Sequence, residues 1–162
     1  MRRLATQQLP TGDVHDFDFL DGEWVIQNRF LRSRLTGDPV WEEFPARSRV
    51  ELRLGGLVNV DQIEFPTRGL TGMTVRLFDA RERRWAIHWT DSRRAVLFPP
   101  VLGGFDGDRG LFYGEDTEGD RPVQVRFVWE RRPGERAHWE QAFSLDGRSW
   151  ETNWAMDFSR PR

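Results

Sequence analysis

Apolar and polar residues alternate with a period of two through most of this chain, and the tryptophans follow that alternation. Trp85-Ala86-Ile87-His88-Trp89 is one such run and Val123-Gln124-Val125-Arg126-Phe127-Val128-Trp129 is another; Trp139, Trp150 and Trp154 keep the same period. Alternation puts successive side chains on opposite faces of a strand, so each run has one face to bury. Seven of the eight tryptophans fall in segments of this kind. With turn residues as punctuation, the pattern predicts strands over 23–34, 41–54, 57–65, 70–78, 84–90, 94–98, 110–116, 122–131, 136–145 and 149–158. No long segment carries a 3.6-residue period. Short strands without a long helix predict an all-β fold, an up-and-down antiparallel β-barrel of about 8–10 strands built from sequential hairpins. Ahead of it, Asp16-Phe17-Asp18-Phe19-Leu20 reads as a short helical turn that plugs one end. Residues 1–14 are polar and aperiodic and read as a flexible N-terminal arm, which leaves 15–162 as a single barrel domain.

Two turns set the expected facing. Asp146-Gly147 is a strong two-residue hairpin signal. It pairs Phe143 with Trp150, Gln141 with Thr152 and Trp139 with Trp154, leaving His138, Glu140, Glu151 and Asn153 outside. A turn at 79–83 sets Leu77 opposite Trp85, Val75 opposite Ile87 and Met73 opposite Trp89, with Thr74 and His88 on the polar face. Slipping either register by one residue exchanges the faces of a strand. Residues 99–109, with two prolines and three glycines among Val101, Leu102 and Phe105, read as a long loop able to cover the barrel mouth.

Composition narrows the chemistry more than the fold. The chain has 162 residues and a formal charge of −2, with its charges interleaved, so no basic stripe suited to nucleic acid is present. All 24 basic residues are arginine and there is no cysteine, which excludes lysine Schiff bases, thiolate nucleophiles, disulfides and cysteine-bound metals. No apolar run is long enough to span a membrane, and the N-terminal arginines have no apolar segment behind them, so a cytoplasmic location is expected. His15, His88 and His138 fall in no metal motif, and no Gly-x-Ser-x-Gly elbow or phosphate-binding glycine loop occurs. No catalytic residue, metal or cofactor is therefore assigned.

Phe17-Asp18-Phe19-Leu20-Asp21-Gly22-Glu23-Trp24 and the ending Asp146-Gly147-Arg148-Ser149-Trp150-Glu151-Thr152-Asn153-Trp154-Ala155-Met156-Asp157-Phe158-Ser159-Arg160 resemble the opening and terminal hairpin of the DUF1579 family, whose members are similar to calycins, the lipocalin and fatty-acid-binding-protein barrels. The resemblance covers most of residues 16–160. It implies a barrel with a central cavity, in which Gly22, Trp24 and Arg160 form a structural closure: the tryptophan lies across the closed end and the arginine packs over it. Nitrobindin-type barrels share the form and bind haem, but the two glycines that follow their tryptophan are replaced here by Ile26 and Asn28.

The expected interior is an aromatic-lined cavity that binds a small hydrophobic or aromatic molecule through Met73, Trp85, Trp89, Tyr113, Phe127, Trp129, Trp139, Gln141, Thr152 and Trp154. A solid aromatic core is the competing reading. Two alternatives use the same cavity: a cyclase- or isomerase-type enzyme working without a covalent intermediate, and a haem-binding nitrobindin-like barrel. A homodimer through the arginine- and carboxylate-rich outer face is a further expectation.

Overall fold

A computed structural model describes residues 8–162; residues 1–7, half of the expected N-terminal arm, lie outside the described residues. Ten antiparallel strands close into one barrel: β1 (Gly22–Leu31), β2 (Trp41–Arg53), β3 (Val58–Phe65), β4 (Leu70–Asp79), β5 (Arg84–Asp91), β6 (Val101–Asp106), β7 (Arg109–Glu118), β8 (Arg121–Arg132), β9 (Arg136–Ser144) and β10 (Glu151–Ser159). Each strand pairs with its sequence neighbours, and β10 returns to β1 to close the sheet. Closure removes the sheet's free edges, so the up-and-down order needs no covering helix. Among the described residues the helical elements are two 3-10 turns, at Asp18–Leu20 and Leu54–Gly56.

The N-terminal turn stands where the aromatic run places it. Phe17 is fully buried at one end of the barrel, edge-on to Trp85 at 5.1 Å and to Phe105 at 5.3 Å. The preceding segment is tied down as well. Gly12 donates its N–H to the Arg83 carbonyl at 2.7 Å, and the Asp13 carbonyl accepts the Trp85 indole N–H at 2.9 Å. At the same end the Arg160 guanidinium lies 3.7 Å from the Trp24 ring centroid and donates to the Glu23 and Phe19 carbonyls. Trp24 in turn donates its indole N–H to the Leu20 carbonyl at 2.7 Å. A shielded cation–π contact of this sort is worth about 1–2 kcal/mol. Gly22 has φ +104°, a conformation that favours glycine, and a Cβ there would stand 3.1 Å from Arg160 Nη1 and crowd the guanidinium.

Two stretches differ from the alternation pattern. The sixth strand lies at Val101–Asp106, not at 94–98, and the expected long loop at 99–109 is largely the β6–β7 hairpin. Its glycines made it read as loop, but they serve close packing. A Cβ on Gly103 would collide with the Leu111 carbonyl, and one on Gly104 would come within 2.6 Å of the Gly12 backbone. The long connection is instead the segment between Asp91 and Val101.

The second difference is facing. Asp79 pairs with Arg84, leaving four residues in the β4–β5 loop, and the Asp79 carboxylate caps that loop through the Arg81 and Glu82 N–H groups. Phe78 then opposes Trp85, Arg76 opposes Ile87 and Thr74 opposes Trp89. Met73, Val75 and Leu77 therefore turn outward, contrary to the expected facing; Met73 and Leu77 are 42% and 41% exposed, while Thr74 and Arg76 are buried. The outward apolar residues are not isolated, because Val75 and Leu77 pair with Val60 and Val58.

The β9–β10 connection is also wider than a two-residue turn. Glu151 opposes Phe143 and Thr152 opposes Ala142; a bulge at Asn153 then restores the original facing, so that Trp154 opposes Gln141 and Met156 opposes Trp139. Within the loop, the Asp146 carboxylate accepts the Arg148 and Ser149 N–H groups at 2.8 Å, with the Ser144 hydroxyl also donating to it. The Ser149 and then the Arg148 N–H are the main causes that hold its pKa down, from 3.8 to about 2. Because the folded value is the lower one, the stabilisation is present above pH ~4 and is lost as pH falls towards 2. Asp146→Asn is expected to remove that part of the acid dependence, which chemical unfolding at pH 5, 3 and 2 would detect as a converging difference between the two proteins.

Candidate functional site

Strand parity gathers the inward side chains in tiers. At the closed end Phe17, Trp85, Phe112 and Trp129 interlock, with Phe17 and Phe112 stacked at 5.6 Å. Further up, Trp154 meets Trp139 at 5.2 Å and Trp89 at 5.9 Å, each nearly perpendicular, and Phe127 meets Trp139 at 5.0 Å. These edge-to-face arrangements are the favoured geometry for aromatic pairs. They surround a cavity of about 390 Å³ inside the barrel. A more open groove of about 810 Å³ also lies along β1–β4, between Arg49, Glu51, Gln62 and Met73.

The cavity is not purely apolar, and this is the feature that the alternation pattern missed. Arg76, only 3% exposed, reaches inward from β4. Its Nη1 donates to Asn59 Oδ1 at 2.7 Å and its Nη2 to Asp61 Oδ2 at 2.9 Å. Asp61 accepts a further hydrogen bond from the Thr74 N–H at 3.0 Å. The guanidinium lies 5.2 Å from the Phe17 ring centroid and 5.5 Å from that of Trp129, so it spans the cavity floor between two aromatic faces. A buried charge of this kind is tolerable only when paired and hydrogen-bonded, and Asp61 and Asn59 supply both conditions. In the sequence, Asn59, Asp61, Thr74 and Arg76 break the apolar pattern of two adjacent predicted strands at alternate positions. That coincidence was the available signal for an interior polar cluster.

The mouth is charged. Arg34 packs its guanidinium over Phe30 at 4.5 Å and Phe143 at 5.3 Å and lies 3.6 Å from Glu118. Burial holds its pKa below the ordinary arginine value, with Glu118 opposing that shift. From the β5–β6 connection Arg94 and Phe98 also border the opening, opposite Glu115 and Asp116 of β7. Arg94 is itself anchored to Asp91 at 2.6 Å.

The expected ligand-contacting residues divide into two groups. Trp89, Phe127, Trp129, Trp139, Gln141 and Trp154 line the cavity, whereas Met73, Trp85, Tyr113 and Thr152 do not. Trp85 is buried below the cavity in the floor. Met73 faces out through the β4 register described above. Tyr113 pairs with Arg126 on the outer face, where Trp150, also expected inside, lies edge-on to it at 6.1 Å under the Arg126 guanidinium. Thr152 is turned out by the wide β9–β10 loop, so the expected Gln141–Thr152 pair does not form. Gln141 instead donates to Asn153 Oδ1 at 2.8 Å.

The outer polar set behaves as an ion-pair network. His138 Nδ1 meets Asp157 at 2.7 Å and its Nε2 meets Glu140 at 2.9 Å. His88 pairs with Val75 on the outer side and contacts the Phe98 carbonyl. His15 is exposed beside Asp18. No histidine borders the cavity, which leaves haem without an axial imidazole from this chain. Glu151 opposes Phe143 and so turns towards the open end, contrary to its expected outward facing, but its carboxylate accepts the Leu35 N–H at 2.7 Å.

No family model matches the chain, and no curated protein matches it. Among the described residues, no helix is long and apolar enough to cross a membrane.

Proposed function

We propose that this protein binds a small hydrophobic or aromatic molecule inside its barrel, in the manner of the calycins that its Gly22-Glu23-Trp24 opening and its terminal hairpin resemble. The observation that carries the reading is the cavity of about 390 Å³ walled by Trp89, Trp129, Trp139 and Trp154, with charged residues confined to its floor and its mouth. An apolar enclosure of this size with a few convergent polar groups is the usual form of a small-molecule site. Flat indole walls favour planar ligands, through stacking and edge contacts. The DUF1579 likeness supports the same reading, since it implies a barrel of the cavity-bearing kind.

The test is a titration with planar aromatic probes, following intrinsic tryptophan fluorescence. Saturable quenching is expected in the native protein. Val125 borders the cavity and is buried, so Val125→Phe is expected to fill part of the volume and weaken binding at least tenfold, while the variant keeps its far-ultraviolet circular dichroism. Absence of saturable quenching across naphthalene-, anthracene- and indole-sized probes would leave the interior as an aromatic core and nothing more.

A further inference from the structure

The barrel wall is incomplete in one place. Between β5 and β6 the ladder spans Trp85–Gly103, Ala86–Leu102 and Ile87–Val101 and then stops, although β5 continues to Asp91. The sequence explains the stop. The next residues to pair would be Pro100 and Pro99, which have no N–H to donate. On its other side β6 leaves β7 at the Leu102–Tyr113 pair, while β7 runs on to Glu118. Above Ile87 and Tyr113, therefore, no strand among the described residues lies between β5 and β7. The gap is bridged by the connection over residues 92–100, and the cavity extends to it: Trp89, Phe98 and Pro99 line one side, Asp116 and Thr117 the other.

The bridge is held near its two ends. Ser92 donates its N–H to the Thr71 carbonyl at 2.9 Å, and the Asp91 carboxylate accepts the Arg93 and Arg94 N–H groups together with the Arg94 guanidinium. At the far end the Phe98 N–H donates to the Trp89 carbonyl at 2.9 Å, and Pro100 rests on Gly114, where a Cβ would stand 2.6 Å from the Pro100 carbonyl oxygen. Between these anchors Ala95 turns the chain at φ +49°, a left-handed conformation that a Cβ disfavours. Beyond that turn Val96 and Leu97 stand 56% and 59% exposed. Two apolar side chains in water beside an apolar cavity, on a segment outside the ladder, have the form of a flap that opens locally without unfolding the barrel. We infer that ligands pass sideways through the wall between β5 and β7, with residues 92–100 as the gate and Asp91 as its latch. This rests on the binding role proposed above and adds the route by which the cavity is reached.

Stopped-flow tryptophan quenching with 2-acetylnaphthalene tests the gate through rates. Asp91→Ala releases the latch and is expected to raise the association and dissociation rates together, each about fivefold, with their ratio kept within about threefold. The comparison variant lies in the other long connection at the open end, residues 32–40, where Asp38 accepts the Val40 N–H at 3.0 Å and the Arg32 guanidinium at 2.8 Å. Asp38→Ala loosens that connection and is expected to leave both rates within about twofold. Unchanged rates in Asp91→Ala, or equal acceleration in both variants, would overturn the sideways route while leaving a ligand cavity in place. Native-state hydrogen exchange of the unmodified protein gives a second reading should Asp91→Ala fail to fold. The Phe98 N–H is expected to exchange about a hundredfold faster than the N–H groups of Val75 and Arg76 in the β4 ladder. Equal protection at Phe98 would overturn the gate. Failure of 2-acetylnaphthalene and the other planar probes to bind the native protein would instead overturn the cavity reading, and this inference with it.

Discussion

Arg76→Met is expected to lower the free energy of unfolding by about 3–5 kcal/mol, because it strands Asp61 as an unpaired charge inside the barrel. The native guanidinium satisfies Asp61 and Asn59 together and rests on Phe17, so three neighbours lose a partner at once. A second substitution discriminates this cause from simple loss of packing. Asp61→Asn removes the charge yet keeps an oxygen to accept the Thr74 N–H, which Asp61 takes at 3.0 Å. The double variant should recover much of the loss, with a coupling between the two sites of about 2–3 kcal/mol. Urea unfolding of the four proteins, native, each single and the double, measures it. A cost below about 1 kcal/mol for Arg76→Met, or strict additivity in the cycle, would mean that the pair is solvated and the floor is not dry.

This cluster is also where the sequence was hardest to read. The alternation argument worked wherever the interior is hydrocarbon: Trp89, Phe127, Trp129, Trp139 and Trp154 all border the cavity as expected. It failed on β4 because that strand carries apolar residues on both faces. Met73, Val75 and Leu77 form a more hydrophobic set than Thr74, Arg76 and Phe78, and a rule that buries the more apolar set chooses wrongly. What overrides it is non-local, since the Arg76 side of β4 has waiting partners in Asn59 and Asp61 of β3. One residue of loop length at Asp79–Arg84 is enough to exchange the faces. Thr152 and Trp150 were missed for the same kind of reason, the loop after Phe143 being wider than Asp146-Gly147 alone suggests. The bulge at Asn153 has no local signature, yet it returns Trp154 and Met156 to the interior. Strand existence was thus legible except at β6, where glycines made a strand read as loop, while facing depended on turn lengths and on partners far along the chain.

Phe17→Ala is expected to cost about 3–5 kcal/mol, comparable to the loss of the buried ion pair, although Phe17 belongs to no strand. The turn that follows it, Asp18–Leu20, spans three residues and cannot hold itself together in water. It is ordered by docking. The Phe17 ring is fully buried against Trp85, Phe105, Phe112 and Trp129, and its backbone carbonyl accepts from Asn59 Nδ2 at 3.3 Å. Nearby, Asp16 receives the Asp13 and Phe105 N–H groups, which ties the segment to β6. Truncation to alanine removes the ring from the centre of this cluster and leaves Arg76 without one of its two aromatic supports. The surrounding strands are locked by closure and cannot collapse into the space, so the cost falls at the upper end for a core aromatic. Phe17→Leu, which keeps most of the volume, is expected to cost only about 1–2 kcal/mol. Thermal and urea unfolding of both variants would test this ordering. Equal and small effects from the two substitutions would mean that the N-terminal turn merely covers a barrel floor able to stand without it.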